Sequence, residues 1–170
     1  MLSDSLVLDA PAIAWVRAHA FRFPTDAPEA DGTSAWDATT MVVVHIEAGP
    51  ARGMGYSFAD SAAASVVNNV LADLIIGRDP CAIPMLWSEM VAAVRNIGWR
   101  GIAACAISAV DVALWDLKAR LVGLPLASLL GVERERVPVY GSGGFTSYRT
   151  TGSASSSAAG SGATVAAPWR

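Results

Sequence analysis

The chain carries 170 residues, 53% of them hydrophobic, with 12 basic against 15 acidic side chains and a net charge of −3. That is apolar material for one domain with a real core, and the absence of any Lys/Arg cluster interleaved with aromatics argues against a nucleic-acid surface. No basic-headed apolar leader opens the chain and no apolar run approaches the roughly 18 residues of a membrane span, so the reading is a soluble, cytoplasmic protein.

From Ile13 to Phe23 the apolar and aromatic residues are dense enough for a strand, with Ile13, Trp15, His19, Phe21 and Phe23 on one face and mostly alanine on the other. Pro24 to Asp37, with two prolines, Gly32 and four acidic residues, reads as a long polar loop. Thr39 to Ala48 is a second strand, Gly49 and Pro50 a turn, and Gly53 to Phe58 a third strand. Asp60 or Ser61 can cap a helix that turns Val66, Val67, Val70, Leu71, Leu74 and Ile75 inward and stops at Gly77. A second helix is predicted from about Ile83 to Ile97, with Leu86, Met90, Val94 and Ile97 as its stripe. The sum is an α+β domain: a three-stranded antiparallel meander followed by a helical bundle.

The densest information lies in AISAVDVALWDLKARLVGLPLASLLG, Ala106 to Gly131. Ile107, Val110, Leu114, Leu117 and Leu121 form the buried stripe of an amphipathic helix, and Asp111, Trp115 and Lys118 line a neighbouring one. Asp116 and Arg120 stand four apart in the order that favours an ion pair, while Gly123 and Pro125 end the helix before a short turn through Leu126, Leu129 and Leu130.

This segment resembles the signature of the mandelate racemase and muconate lactonizing enzyme branch of the enolase superfamily. Ala106, Ser108, Ala109, Asp111, Ala113, Asp116, Arg120, Pro125, Leu126, Leu129 and Gly131 stand at the matching places. The likeness continues in PTD at Pro24 to Asp26, WDATTMVVV at Trp36 to Val44 and VPVYGSGGF at Val137 to Phe145, and it covers about Ile13 to Tyr148. It implies an N-terminal capping domain at residues 1–136 and the remnant of a first barrel strand at 137–148. In that family a (β/α)8 barrel follows and holds the catalytic groups, and such a barrel needs on the order of 250 residues.

After Tyr148 the chain reads RTTGSASSSAAGSGATVAAPWR, with no acidic residue and no periodicity, so 149–170 is expected to be a low-complexity, disordered tail. Lys118 is the sole lysine, and the other eleven basic residues are arginine. The arginine bias and the abrupt junction together suggest a frameshift or an equivalent premature ending in a GC-rich gene.

The resemblance implies Mg2+-assisted removal of a proton beside a carboxylate, in a racemase or dehydratase acting on small hydroxy or sugar acids. Its lysine base and acidic metal ligands belong to the barrel, so no catalytic residue and no bound metal are expected in this chain. Asp111 and Asp116 point about 140° apart on a helix and do not converge with Lys118 on a reaction centre. His19 and His45, on adjacent strands, lack the third ligand of a zinc site. Cys81 and Cys105 are read as ordinary buried thiols. Gly141 to Gly144 lacks the helix and lysine of a phosphate loop.

Two loops carry the functional suggestion, since in the family their counterparts close over the barrel mouth and contact the substrate. Here they are about Pro24 to Trp36 and Tyr56 to Asp60, with Thr25, Thr33, Ser34, Trp36 and Tyr56 as the candidate contacts. Asp26, Glu29 and Asp31 would repel an acid. The rival reading is a binding module that pairs with a separate barrel, or self-associates or aggregates through the apolar surface that a barrel would cover.

Overall fold

A computed structural model describes residues 10–134 and 136–139. The chain divides into two compact units, residues 1–22 with 40–130 and residues 23–39 with 131–170. Three strands, β1 (Ile13–Ala30), β2 (Ala35–Ala48) and β3 (Ala51–Phe58), form an antiparallel meander in the order β1-β2-β3. A helix follows in three segments, α1 (Ala62–Val66), a π-helical turn (Val67–Leu71) and α2 (Ala72–Ile75), and then come α3 (Ile83–Ala93), α4 (Ile102–Leu121) and α5 (Leu126–Leu130).

The predicted loop from Pro24 to Asp37 is instead the far half of a hairpin, because β1 and β2 run on until they meet at residues 31–34. Pro24 and Pro28 are tolerated there because β1 is an edge strand, where a missing N–H breaks no central ladder. Period two also misassigned the face of β1. Ile13, Val16 and Ala18 are buried while His19, Phe21 and Phe23 are exposed, so the inward side changes between Ile13 and Val16 and small residues face the helices.

In β2 and β3 the alternation is clean. Val42, Val44, Ile46 and Ala48 are fully buried and stand opposite Ser57, Gly55, Gly53 and Ala51. Gly49, at φ 55°, supplies the first central position of the two-residue turn between the strands, a conformation costly for any residue with a Cβ. Gly53 and Gly55 serve a different purpose. A Cβ on Gly53 would collide with the Ala113 carbonyl and lie 2.6 Å from the Leu117 amide nitrogen, and one on Gly55 would collide with the Ala109 carbonyl. The strand backbone therefore rests directly on α4.

Both edges of the sheet are closed by polar side chains from helices. Asn68, in the π-turn, accepts from the Ala18 amide at 2.9 Å and donates to the Ala18 carbonyl at 2.9 Å, replacing the strand that β1 lacks on that side. Nearer its start, the Ile13 amide donates to the Arg78 carbonyl at 2.9 Å and its carbonyl accepts from Gly77 at 2.8 Å. Arg78 is fixed in turn by a two-pronged ion pair to Glu89 of α3, at 2.7 and 2.9 Å. On the opposite edge, Asp116 of α4 accepts from the Met54 amide at 2.8 Å.

The predicted helices form with altered ends. Ser61 takes the N-cap position without a side-chain bond, while Asp60 just before it accepts from the Ala62 amide at 2.8 Å; Val66, Val70 and Leu74 are only partly buried, and Ala63, Ala64 and Ala72 take core places. The second helix stops at Ala93, which leaves Ile97 60% exposed in a turn. Leu126, Leu129 and Leu130 form α5 as expected, but the first unit buries none of them. The predicted tail, and the strand remnant beyond its first three residues, lie outside the described residues.

Gly55→Ala is expected to cost about 2–4 kcal/mol in urea unfolding, because the added carbon has no room to relax between strand and helix. Gly32→Ala, where nothing stands within 4 Å, is the matched control and should change stability little.

Candidate functional site

The hairpin half in the second unit is organised by its own carboxylates. Asp31 accepts from the Thr33 amide at 2.7 Å, the Thr33 hydroxyl at 2.8 Å and the Ser34 amide at 2.8 Å, and its own amide donates to the Ser34 carbonyl at 3.0 Å. This is the turn that an Asp-Gly-Thr-Ser sequence favours. Hydrogen bonds from the Thr33 amide, then its hydroxyl, then the Ser34 amide hold the Asp31 carboxyl below the ordinary carboxylate range. Across the hairpin, the Trp36 indole N–H donates to Glu29 at 2.8 Å. No sequence periodicity signals that lock, since it depends on the register of two strands read beforehand as a loop.

Four of the five sequence-predicted contacts, Thr25, Thr33, Ser34 and Trp36, fall on this hairpin. The Thr33 hydroxyl and the Trp36 indole N–H are engaged within it. Thr25 differs: its hydroxyl oxygen is buried and has no hydrogen-bond partner among the described residues, an arrangement that costs free energy unless a donor or acceptor arrives. Tyr56 belongs to the first unit, within β3 rather than in a loop, and its ring packs edge-on against Phe58 at 6.0 Å.

The segment from Ala106 to Gly131 resolves into separate tasks. Ala106, Ala109 and Ala113 are buried where the helix needs small side chains, Ala109 and Ala113 directly beneath β3. Asp116 joins the Met54 amide to the Arg120 guanidinium, 2.9 Å away, so the expected ion pair exists and also grips the sheet edge. Gly123 and Gly131 take φ of 67° and 90° around Pro125 and α5, and Ser108 is exposed. Asp111 is partly buried, and desolvation raises its carboxyl above the ordinary value. Lys118 stands 5.3 Å from the Trp115 ring centre.

Among the described residues no three His, Cys, Asp or Glu side chains gather as a metal would require. The two acids of α4 are unsuitable as a pair, because Asp116 is already committed to Met54 and Arg120. Cys81 and Cys105 are free and only partly buried, unlike the buried thiols expected. Burial and the adjacent Asp79 carboxylate push the Cys81 thiol up, which makes it a poor nucleophile. No helix of the described residues is long and apolar enough to cross a membrane.

An antiparallel meander capped at both edges and packed on a long signature helix is the α+β N-terminal domain of enolase-superfamily proteins. The chain belongs to the mandelate racemase / muconate lactonizing enzyme family, whose N-terminal domain it matches over residues 19–131. L-talarate/galactarate dehydratase of Salmonella typhimurium is 35% identical over 144 residues, covering 78% of this chain and 36% of that enzyme. Its structure with Mg and L-lyxarohydroxamate superposes with a TM-score of 0.69 at 29% identity, over 76% of this chain and 36% of the other. D-galactarolactone cycloisomerase of Agrobacterium fabrum is 31% identical over 135 residues, again 78% of this chain and 36% of the relative. A mandelate racemase/muconate lactonizing enzyme-like protein from Rubrobacter xylanophilus gives a TM-score of 0.83 at 46% identity, over 86% of this chain and 41% of that one. The chain thus spans little more than a third of the length of the curated relatives it matches.

Two carboxylates give opposite expectations with pH. Asp31, with its value lowered by folding, stabilises the turn above the ordinary carboxylate range, and that support is lost as pH falls through the lowered value. In an acid titration followed by NMR, the Thr33 and Ser34 amide resonances should move together, and Asp31→Ala should abolish that transition. Asp111, with its value raised, contributes least at neutral pH, since folding disfavours its charge, and its penalty fades as pH falls below the ordinary carboxylate range. Asp111→Asn should therefore raise the unfolding midpoint at neutral pH, with a gain that shrinks as pH falls and is gone below the ordinary carboxylate range.

Proposed function

We propose that residues 13–131 are the substrate-capping domain of a Mg2+-dependent racemase or dehydratase acting on hydroxy or sugar acids, and that the 170-residue chain has no turnover of its own. The observation that carries the reading is the hairpin itself. Its shape is set internally by Asp31 and by the Glu29–Trp36 bond, while the buried Thr25 hydroxyl has no hydrogen-bond partner among the described residues. A closing element needs such a combination: a rigid outline that excludes water, and polar groups that only the bound molecule satisfies. Asp31 and Glu29 remain anionic, with their carboxylates engaged by the hairpin's own donors. Tyr56, whose ring lies on the sheet beside Phe58, is not part of the proposed contact set.

Proton abstraction beside a carboxylate needs a base and a metal held by the larger part of such an enzyme, and no residue set in this chain is assigned to the ion. The domain's own part is to bind, orient and enclose the acid. The activities of the Salmonella and Agrobacterium relatives support a polyhydroxylated diacid or its lactone as the substrate class.

The test is a chimera in which residues 13–131 replace the corresponding domain of the Salmonella dehydratase. Magnesium-dependent dehydration of galactarate should persist, and Thr25→Val in the chimera should raise KM by about 3–10-fold, the worth of one hydrogen bond. A folded chimera that no longer binds substrate would refute the capping role. Turnover of acid sugars by the 170-residue chain alone would refute its inactivity.

A further inference from the structure

The hairpin segment of the second unit, residues 23–39, carries four acids, Asp26, Glu29, Asp31 and Asp37, and no basic residue. This short segment therefore holds more negative charge than the net −3 of the whole chain. Counting Arg22, the residue just before it, against one of the four still leaves three. The hydrogen bonds that organise the hairpin do not neutralise it. Asp31 accepts from the Thr33 amide and hydroxyl and from the Ser34 amide, and Glu29 accepts from the Trp36 indole, all of them uncharged donors. Such donors favour the ionised carboxylate and bring no positive charge to cancel its field. Asp26 is exposed. Thr25 directly precedes it, and the Thr25 hydroxyl oxygen is buried with no hydrogen-bond partner among the described residues. A hydroxyl both donates and accepts, so another hydroxyl or a carbonyl oxygen satisfies it without adding charge.

We propose that the hairpin selects acids with one ionised carboxylate and an uncharged far end, a hydroxyl or a lactone that meets the Thr25 hydroxyl, and discriminates against acids with a carboxylate at both ends. The selectivity rests on the capping role proposed above and narrows its substrate class. In that role the carboxylate beside the proton to be removed is held by the larger part of such an enzyme, and the far end of the molecule is carried toward the cover. A second carboxylate there meets only like charge, without the guanidinium fork that ordinarily receives one. Three unit charges about 10 Å away in water lower its affinity roughly tenfold at low ionic strength. An uncharged end meets no such penalty and supplies the partner that the Thr25 oxygen lacks.

The field can be measured on the 170-residue chain itself, with two nitroxide probes alike except that one carries a carboxylate and the other an ammonium group. At low salt the cationic probe should relax the backbone amides of residues 25–36 about 3-fold more than the anionic one, and this contrast should exceed the average over the first unit and fade toward about 0.5 M salt. Asp26→Asn should reduce it. Probes that act equally on the hairpin overturn the proposal. In the chimera, competition between galactarate, with two carboxylates, and galactonate, whose far end is a hydroxymethyl group, reads the selectivity directly. Asp26→Asn and Glu29→Gln should each raise the affinity for galactarate relative to galactonate about 2-fold, and added salt should act in the same direction. The glutamine keeps an oxygen to accept from the Trp36 indole, so charge changes while the hairpin's bond is retained. A chimera that binds both acids in a ratio indifferent to both substitutions and to salt overturns the selectivity and leaves the capping role standing. A folded chimera that binds neither acid overturns both.

Discussion

At Gly53 and Gly55 the backbone of β3 lies on α4 with no side chain between them, and the first unit is arranged around that contact. Strand and helix can approach so closely only because the strand offers glycine and the helix offers Ala109 and Ala113. Proximity then brings Asp116 within 2.8 Å of the Met54 amide, so the helix satisfies a donor on the sheet's edge as well as packing beneath it. With α4 fixed, Val42, Val44 and Ile46 on β2 and Leu114 and Leu117 on the helix share one dry core. Dispersion at native packing density and apolar burial both depend on this spacing, which one methylene would disturb.

The two edges of the sheet illustrate how a small meander avoids adding further strands. An unpaired strand edge is a template for pairing with another chain. Asn68 blocks one edge by presenting an amide that imitates a peptide group, and Asp116 blocks the other with a charged acceptor. The π-turn at Val67–Leu71 belongs to this solution, because it contains the asparagine that reaches Ala18.

Within the second unit, the hairpin half has the opposite character. Its order comes from polar groups, with Asp31 gathering Thr33 and Ser34 and Glu29 holding the Trp36 indole, in place of a buried apolar stripe. Such an element keeps its outline without an apolar stripe, whereas the α4 contact rests on close packing.

Family membership, the α+β class, the order of three strands and then helices, and the Asp116–Arg120 pair were all legible in the chain. Each rests on local chemistry: a helical stripe, a four-residue spacing, a Gly-Pro turn. The inward face of β1 was not legible, since Trp15, His19 and Phe21 look like core by period two, and only the position of the helices shows that small residues must face them. The strand character of Pro24 to Ala30 was likewise hidden, because proline argues against a strand until the strand is known to lie at an edge. Sequence also recorded Gly53, Gly55, Asn68 and Asp116 without their meaning. Each acts on a partner 50 or more residues away, and tertiary structure alone decides which backbone stands near enough to be touched or bonded.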